Sequence, residues 1–210
     1  MEVKSLALIL IIVFVSFLGF ITENTFISFR TGKIDNRNMI FPFLLGYGLA
    51  ILVIYKLFGT PDTPLLFGKE IQINIPFLSF LYYFVIAFLC VTVGELILGH
   101  LIEWTCNIKW WNYSDLTLHI TQYTSVPTSA VFATMITVFM KYAFNPLLNL
   151  FSKIDPHTLT IIAISTIVML SIDFIHSGIY MLKNHKTLDL WHVEFNRSLK
   201  EILENMKGSN

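Results

Sequence analysis

Apolar residues run along this chain in five long blocks separated by short polar stretches, with approximate limits Ser5 to Phe29, Met39 to Phe58, Ile75 to Trp104, Tyr123 to Phe144 and His157 to Leu182. A helix of about 20 residues crosses a hydrocarbon core, so each block is long enough to span one. The pattern therefore predicts an all-α polytopic membrane helix bundle over residues 1–184, with a tail over 185–210. Lys4 ahead of "SLALILIIVFVSFLGF" gives the first block the look of a signal sequence. The run is long for that role and lacks a small-x-small cleavage site, so it is read as a retained helix. Between the second and third blocks, "GTPDTPLLFGKEIQINIP" holds three prolines and two glycines and predicts a loop, with "EIQIN" a short strand or extended chain. In the tail, Leu188, Trp191, Phe195, Leu199 and Ile202 recur at helical spacing among charged residues, which predicts an amphipathic helix from Thr187 to Met206.

Composition agrees with a bilayer as solvent. Of 210 residues, 55% are hydrophobic and 13% charged, against about a quarter charged in a soluble domain, and the mean hydropathy is +0.67. Fourteen basic residues balance fourteen acidic ones without a basic stripe, which removes nucleic acid as a partner. Cys90 and Cys106 lie outside any zinc spacing and read as unpaired thiols. The sequence implies no metal and no cofactor.

Five spans put the termini on opposite sides. With the N-terminus outside and the C-terminus in the cytoplasm, nine basic residues face the cytoplasm and five face out, the arrangement favoured by the positive-inside rule. The loop "KWWNYSD" at 109–115 and the loop "RTGKIDNRN" at 30–38 are then both cytoplasmic. Aromatic rings with a polar tip concentrate at the interface, so an aromatic belt with helix caps and a functional loop both remain open. Arg37 is the expected ion partner of Asp115 or Glu103.

Ionisable groups inside the blocks discriminate better, because a carboxylate in hydrocarbon costs several kcal/mol and faces the bundle interior. Gly19 and Glu23 share one face of the first helix. Glu95, Gly99 and Glu103 form a stripe on the third with His100 nearby, and Asp173, His176, Ser177 and Tyr180 a stripe on the fifth. Glycine beside a carboxylate lets another backbone approach closely. Glu23, Glu95, Glu103, Asp173 and His176 are the candidates for a polar intramembrane site. Glu95 and Asp173 lie deepest.

The succession "GFITEN", "NRNMIFPFLLGYG", "VTVGELILGHLIEW" and "KWWNYSD" resembles the bacterial membrane-protein family named "Putative ABC-transporter type IV" over roughly residues 14–150. That family shows Gly-x-x-x-Glu in its first helix, Asn-Arg-Gly ahead of Gly-Pro and Pro-Ile-Tyr-Gly, a glutamate in the third helix, and Trp-Trp-Asp-Tyr-Ser. Matching residues are Gly19, Glu23, Asn36, Arg37, Pro42, Tyr47, Gly48, Glu95, Glu103, Trp110, Trp111, Tyr113 and Ser114. Asn38 stands in place of a glycine and Asn112 in place of the aspartate; an arginine usual after the aromatic motif is absent. A transporter or permease subunit is the favoured reading, because interior carboxylates on three helices can line a polar path. There is no Walker A motif in the chain, so an ATPase would be a separate subunit, and a homo-oligomer is the other partner considered. Two further readings stay open: a structural or regulatory membrane protein that binds a partner through its cytoplasmic loops and tail, and an intramembrane enzyme pairing Asp173 with His176 or His100 with Glu103. No nucleophile motif supports the last, and no catalytic residue is assigned.

Overall fold

The computed structural model describes residues 2–195. Five helices run along the bundle: α1 Val3–Thr31, α2 Leu45–Phe58, α3 Pro76–Cys106, α4 Val126–Phe151 and α5 Pro156–Asn184. Four of them are long and apolar enough to cross a membrane; α2 is not. Their ends follow local chemistry. Proline opens α3 and α5 within the first two positions, where a missing N–H costs nothing, and Asp155 caps α5 by accepting from the Thr158 N–H. Gly32 ends α1 in the left-handed conformation.

The centre of the bundle is α1. Over its most apolar window 56% of residues are buried, against 11–28% for α3, α4 and α5. Ala7, Leu8, Ile11 and Val15 pack with Ile51, Ile54 and Phe58 of α2, Tyr83 of α3, and Met140, Phe144 and Leu148 of α4. Leu6 and Leu10 meet Leu159 and Ala163 of α5. Short strands close the two ends. At one, here the aromatic end, β1 Lys33–Asp35 pairs antiparallel with β7 His192–Glu194, and β5 His119–Thr121 pairs with β6 Thr124–Ser125. At the opposite end β2 Gly59–Thr60, β3 Thr63–Leu66 and β4 Lys69–Glu70 form a small antiparallel sheet that the loop expectation did not contain; of the "EIQIN" stretch only Glu70 lies in a strand, and residues 71–74 do not.

Two helices begin well below the aromatic end. The Leu44 N–H donates to Ser16 O at 2.9 Å, and Ser16 lies fifteen residues, about 22 Å at 1.5 Å per residue, back from the end of α1. Residues 39–44 therefore descend along α1 as irregular chain, kept out of helix by Pro42, before the 14 residues of α2 complete the passage. The expected helix from Met39 is thus helical only from Leu45. The start of α4 is recessed as well: Tyr123 lies against Gly99 of α3, seven residues below the end of that helix. Further along, α4 passes through a π-turn at Phe139–Ala143. Pro146 cannot donate to the carbonyl four residues back, and the wider turn ahead of it lets the helix continue. It also turns Lys141 toward Asp62 in the loop at the opposite end, with which it pairs.

The expected amphipathic helix from Thr187 is not present over residues 187–195, which are extended and include β7; residues 196–206 of that expectation lie outside the described residues. Helical periodicity here loses to specific hydrogen bonds. The Asn36 and Asn38 side chains hold the backbone of Leu188 and Leu190, and β1 takes the strand that follows.

Candidate functional site

The recessed starts of α2 and α4 leave a space at the aromatic end between α1 and α3, and polar side chains fill it. Gly19 makes room for Tyr47: a Cβ there would lie 2.5 Å from the ring Cγ. The Tyr47 hydroxyl donates to Glu23 Oε1 one turn further along α1. On its other oxygen Glu23 faces Arg37 at 3.7 Å, an ion pair whose side chains are 19% and 12% exposed. Arg37 also lies 3.5 Å from Asp35. From α3, Glu95 is approached by the Ser129 hydroxyl of α4 at 3.5 Å, and Ser129 meets Thr124 at 3.1 Å. Phe132, one turn beyond Ser129, places its ring 6.0 Å from that of Tyr47. Tyr113 roofs the recess, buried and edge-on to Phe26. Burial first, then the negative charges of Glu23 and Glu95, hold its hydroxyl well above the ordinary tyrosine range. What enters beside each glycine is a tyrosine ring, Tyr47 at Gly19 and Tyr123 at Gly99, and not the backbone expected from the sequence. Tyr123 is fully buried, with its hydroxyl beside the Glu103 carboxylate.

Asp173 is 3% exposed and serves another purpose. Its two oxygens accept from the Ile40 and Phe41 N–H groups, each at 2.9 Å, with Ser177 Oγ at 3.4 Å. Irregular backbone at membrane depth is tolerated only where its polar groups are met by protein, and this carboxylate meets two of them. His176 does not join it; the imidazole sits on the exposed side of α5, so the Asp173–His176 pair is not assembled.

The "NRN" stretch is a clamp. Asn36 Nδ2 donates to Met39 O and Leu188 O, its Oδ1 accepts from Leu190 N, and Asn38 Oδ1 accepts from Leu188 N at 2.6 Å. Arg37 and Asn38 both have positive φ, 47° and 63°. Asparagine is the side chain that enters this region most readily after glycine, which gives a physical reason for Asn38 where the resemblance expects Gly.

In the aromatic loop, Trp111 donates its indole N–H to Tyr123 O at 2.8 Å, and Trp110 packs against Phe20, Met39 and Leu44. The Ser114 N–H donates to Asn112 Oδ1. The expected ion partners are corrected by distance. Asp115 pairs with Arg30 at 2.6 Å, and Arg30 also lies over the rings of Phe26 and Tyr113. Glu103 is near Lys109 at 3.8 Å and accepts from Gln122 at 3.2 Å, while Arg37 is committed to Glu23 and Asp35. His100 is exposed and its ring stands edge-on to Tyr123 at 5.1 Å. Among the described residues no group of three or more His, Cys, Asp or Glu is arranged to hold a metal. Tyr47, Asn24, whose Oδ1 accepts from the Asp35 N–H, and Ser129 carried too little sequence signal to be chosen on chemistry; each is a neutral polar residue inside an apolar helix.

Apolar helices around a few paired interior charges define a polytopic membrane protein. The chain belongs to the "Putative ABC-transporter type IV" family, whose model matches residues 10–178, and is thus a membrane protein of a transporter-related family. No curated protein and no solved structure matches it. The matched region contains Glu23, Glu95, Asp173, the Asn clamp and the aromatic loop.

Proposed function

We propose that this protein is the membrane-embedded subunit of a transport system, with Glu23, Glu95, Tyr47 and Arg37 as the polar element on its path. One observation carries the reading: carboxylates from two different helices face a single recess under Tyr113, at the end where α2 and α4 begin below the ends of α1 and α3. Keeping a carboxylate at membrane depth costs several kcal/mol, and two carboxylates against one guanidinium leave a site whose charge a cation or a proton completes. Glu103, Asp173 and His176 lie outside this element. The aromatic end faces the cytoplasm in this proposal, in keeping with the clustering there of Arg30, Lys33, Arg37, Lys109, Lys183 and Lys186. An ATPase, if one drives the system, docks on that end as a separate chain.

Glutamine at position 95 tests the role. A carboxylate that only accepts a hydrogen bond is replaceable by the amide, whereas one that holds a cation or carries a proton is not. Glu95→Gln is expected to fold and insert normally and to lose the transport-linked phenotype in a complementation assay; Glu95→Ala is expected to lose thermal stability in detergent as well. Full complementation by Glu95→Gln would defeat the ion role and favour a structural or regulatory protein.

A further inference from the structure

We propose that the ion exchanged in the recess is a proton, that Glu95 takes it up and releases it, and that Glu23 stays ionised as a fixed charge, an assignment that rests on the transport reading above. A difference between the partners of the two carboxylates carries it. Glu23 faces the Arg37 guanidinium on one oxygen and accepts from the Tyr47 hydroxyl on the other. A guanidinium only donates and keeps its charge, so it holds its partner in the ionised form. Glu95 makes no ion pair with a Lys, Arg or His among the described residues. Its company is neutral: the Ser129 hydroxyl lies 3.5 Å from Oε2 and the Thr124 hydroxyl beside it, with 3.1 Å between the two. A hydroxyl donates to a carboxylate and accepts from a carboxylic acid. Rotation of the Ser129 and Thr124 O–H groups therefore suits Glu95 in either state, with the backbone unmoved.

The surroundings of Glu95 select the proton. A carboxylate away from water and without a counter-charge is neutralised at lower cost than it is kept ionised, and a like charge in the same recess adds to that cost. The titratable groups that face Glu95 are Glu23 from α1, Tyr47 from α2 and Tyr113 from the aromatic loop. Arg37 is paired with Glu23 and Arg30 lies over the Tyr113 ring, while β6 and the start of α4 contribute the two hydroxyls. On α3 itself, Glu103 is engaged by Lys109 and Gln122, and His100 is exposed. A hard metal cation takes about six or more oxygen ligands. With both Glu23 oxygens engaged, Glu95 and two hydroxyls fall short of that set, whereas a proton needs one oxygen. It adds to the Glu95 carboxylate from water and returns to water, with no other bond made or broken.

Infrared difference spectra of the full chain in detergent, recorded as pH is lowered stepwise, read the C=O stretch of each protonated carboxyl directly. The first such band to appear is expected to be absent from Glu95→Gln and present in Glu23→Gln. Two milder variants make the same assignment if a glutamine variant fails to fold. Ser129→Ala removes a hydrogen bond to Glu95 and should move the band to higher frequency; Tyr47→Phe removes one to Glu23 and should move it less. A first band that survives in Glu95→Gln, or that moves in Tyr47→Phe and not in Ser129→Ala, overturns the assignment. A tenfold rise in sodium at constant ionic strength should leave the half-conversion pH of the band unchanged, and a shift to lower pH would make this a metal-cation site. Loss of the band in Glu95→Gln beside full complementation by that variant would keep the proton on Glu95 and defeat the transport reading. Loss of complementation with the first band unchanged would do the reverse.

Discussion

Asp173 offers the most quantitative test of how this bundle holds irregular chain at membrane depth. Its carboxylate accepts two backbone N–H groups at 2.9 Å, and hydrogen bonds to a charged group contribute about 1.5–3 kcal/mol each. Asp173→Asn keeps one acceptor oxygen but turns an NH₂ toward the second N–H, which loses one bond and should cost about 1–3 kcal/mol. Asp173→Ala removes both acceptors from a site that is 3% exposed. Two donors stranded there cost about 2–6 kcal/mol, a large part of the 5–15 kcal/mol that holds a typical domain. Ser177→Ala, which deletes only the 3.4 Å contact, should cost less than either. Equilibrium unfolding in mixed micelles gives the ranking Ala, then Asn, then the Ser177 variant, and amide exchange at Ile40 and Phe41 should accelerate in the first two. If Asp173→Asn matches the native protein and Asp173→Ala falls within about 1 kcal/mol of it, residues 39–44 are held by something else, and the reasoning about buried backbone here is wrong.

Gly19→Ala should displace the Tyr47 ring and break its hydrogen bond to Glu23, at about the 1–3 kcal/mol of an overpacked core, read as a lower unfolding midpoint; Tyr47→Phe, which keeps the volume, should cost less. Asp155 is held below the usual carboxylate range chiefly by the Thr158 N–H, so its cap stabilises α5 above the unfolded carboxylate pKa and loses that effect as pH falls through the folded value. Asp155→Ala should therefore lower the unfolding midpoint more at pH 7 than at pH 3, and an equal decrease at both would contradict this. For topology, Ser114→Cys should resist an impermeant thiol reagent applied from outside while Gln72→Cys reacts; the opposite pattern reverses the proposed orientation.

The apolar blocks predicted four of the helices to within a few residues, save that α4 runs seven residues past its expected end, because continuous hydrophobicity over more than 20 residues has few solutions in lipid. The helix continues through Pro146 by way of the π-turn at Phe139–Ala143. The second block and the tail were misread for one shared reason: the backbone of residues 39–44 and 187–191 is satisfied by side chains distant in sequence, Asp173 in one case and the two asparagines in the other. No local pattern encodes a partner 132 or 150 residues away. Glu23, Glu95 and Asp173 stood out because charge inside an apolar run is costly, but cost alone does not tell which of them share a space. That depended on where α2 and α4 begin. The neutral members, Tyr47 and Ser129, were hidden by their ordinary chemistry.

The central position of α1 bears on how the chain is made. This most buried helix precedes the other four in the chain, so it is made before them and must reside in lipid without them for a time. Its most apolar window has a hydropathy of 2.7, the highest of the four long helices, which suits it to that interval because hydrocarbon solvates an apolar helix as well as another helix does. Near the end of α1, Glu23 and Arg30 are left without their partners at that stage, Arg30 until Asp115 follows. Arg37 follows Glu23 by fourteen residues and Tyr47 by twenty-four, so the Glu23 charge is met as soon as the next segment is inserted, and the remaining three helices assemble on a pair that is already closed.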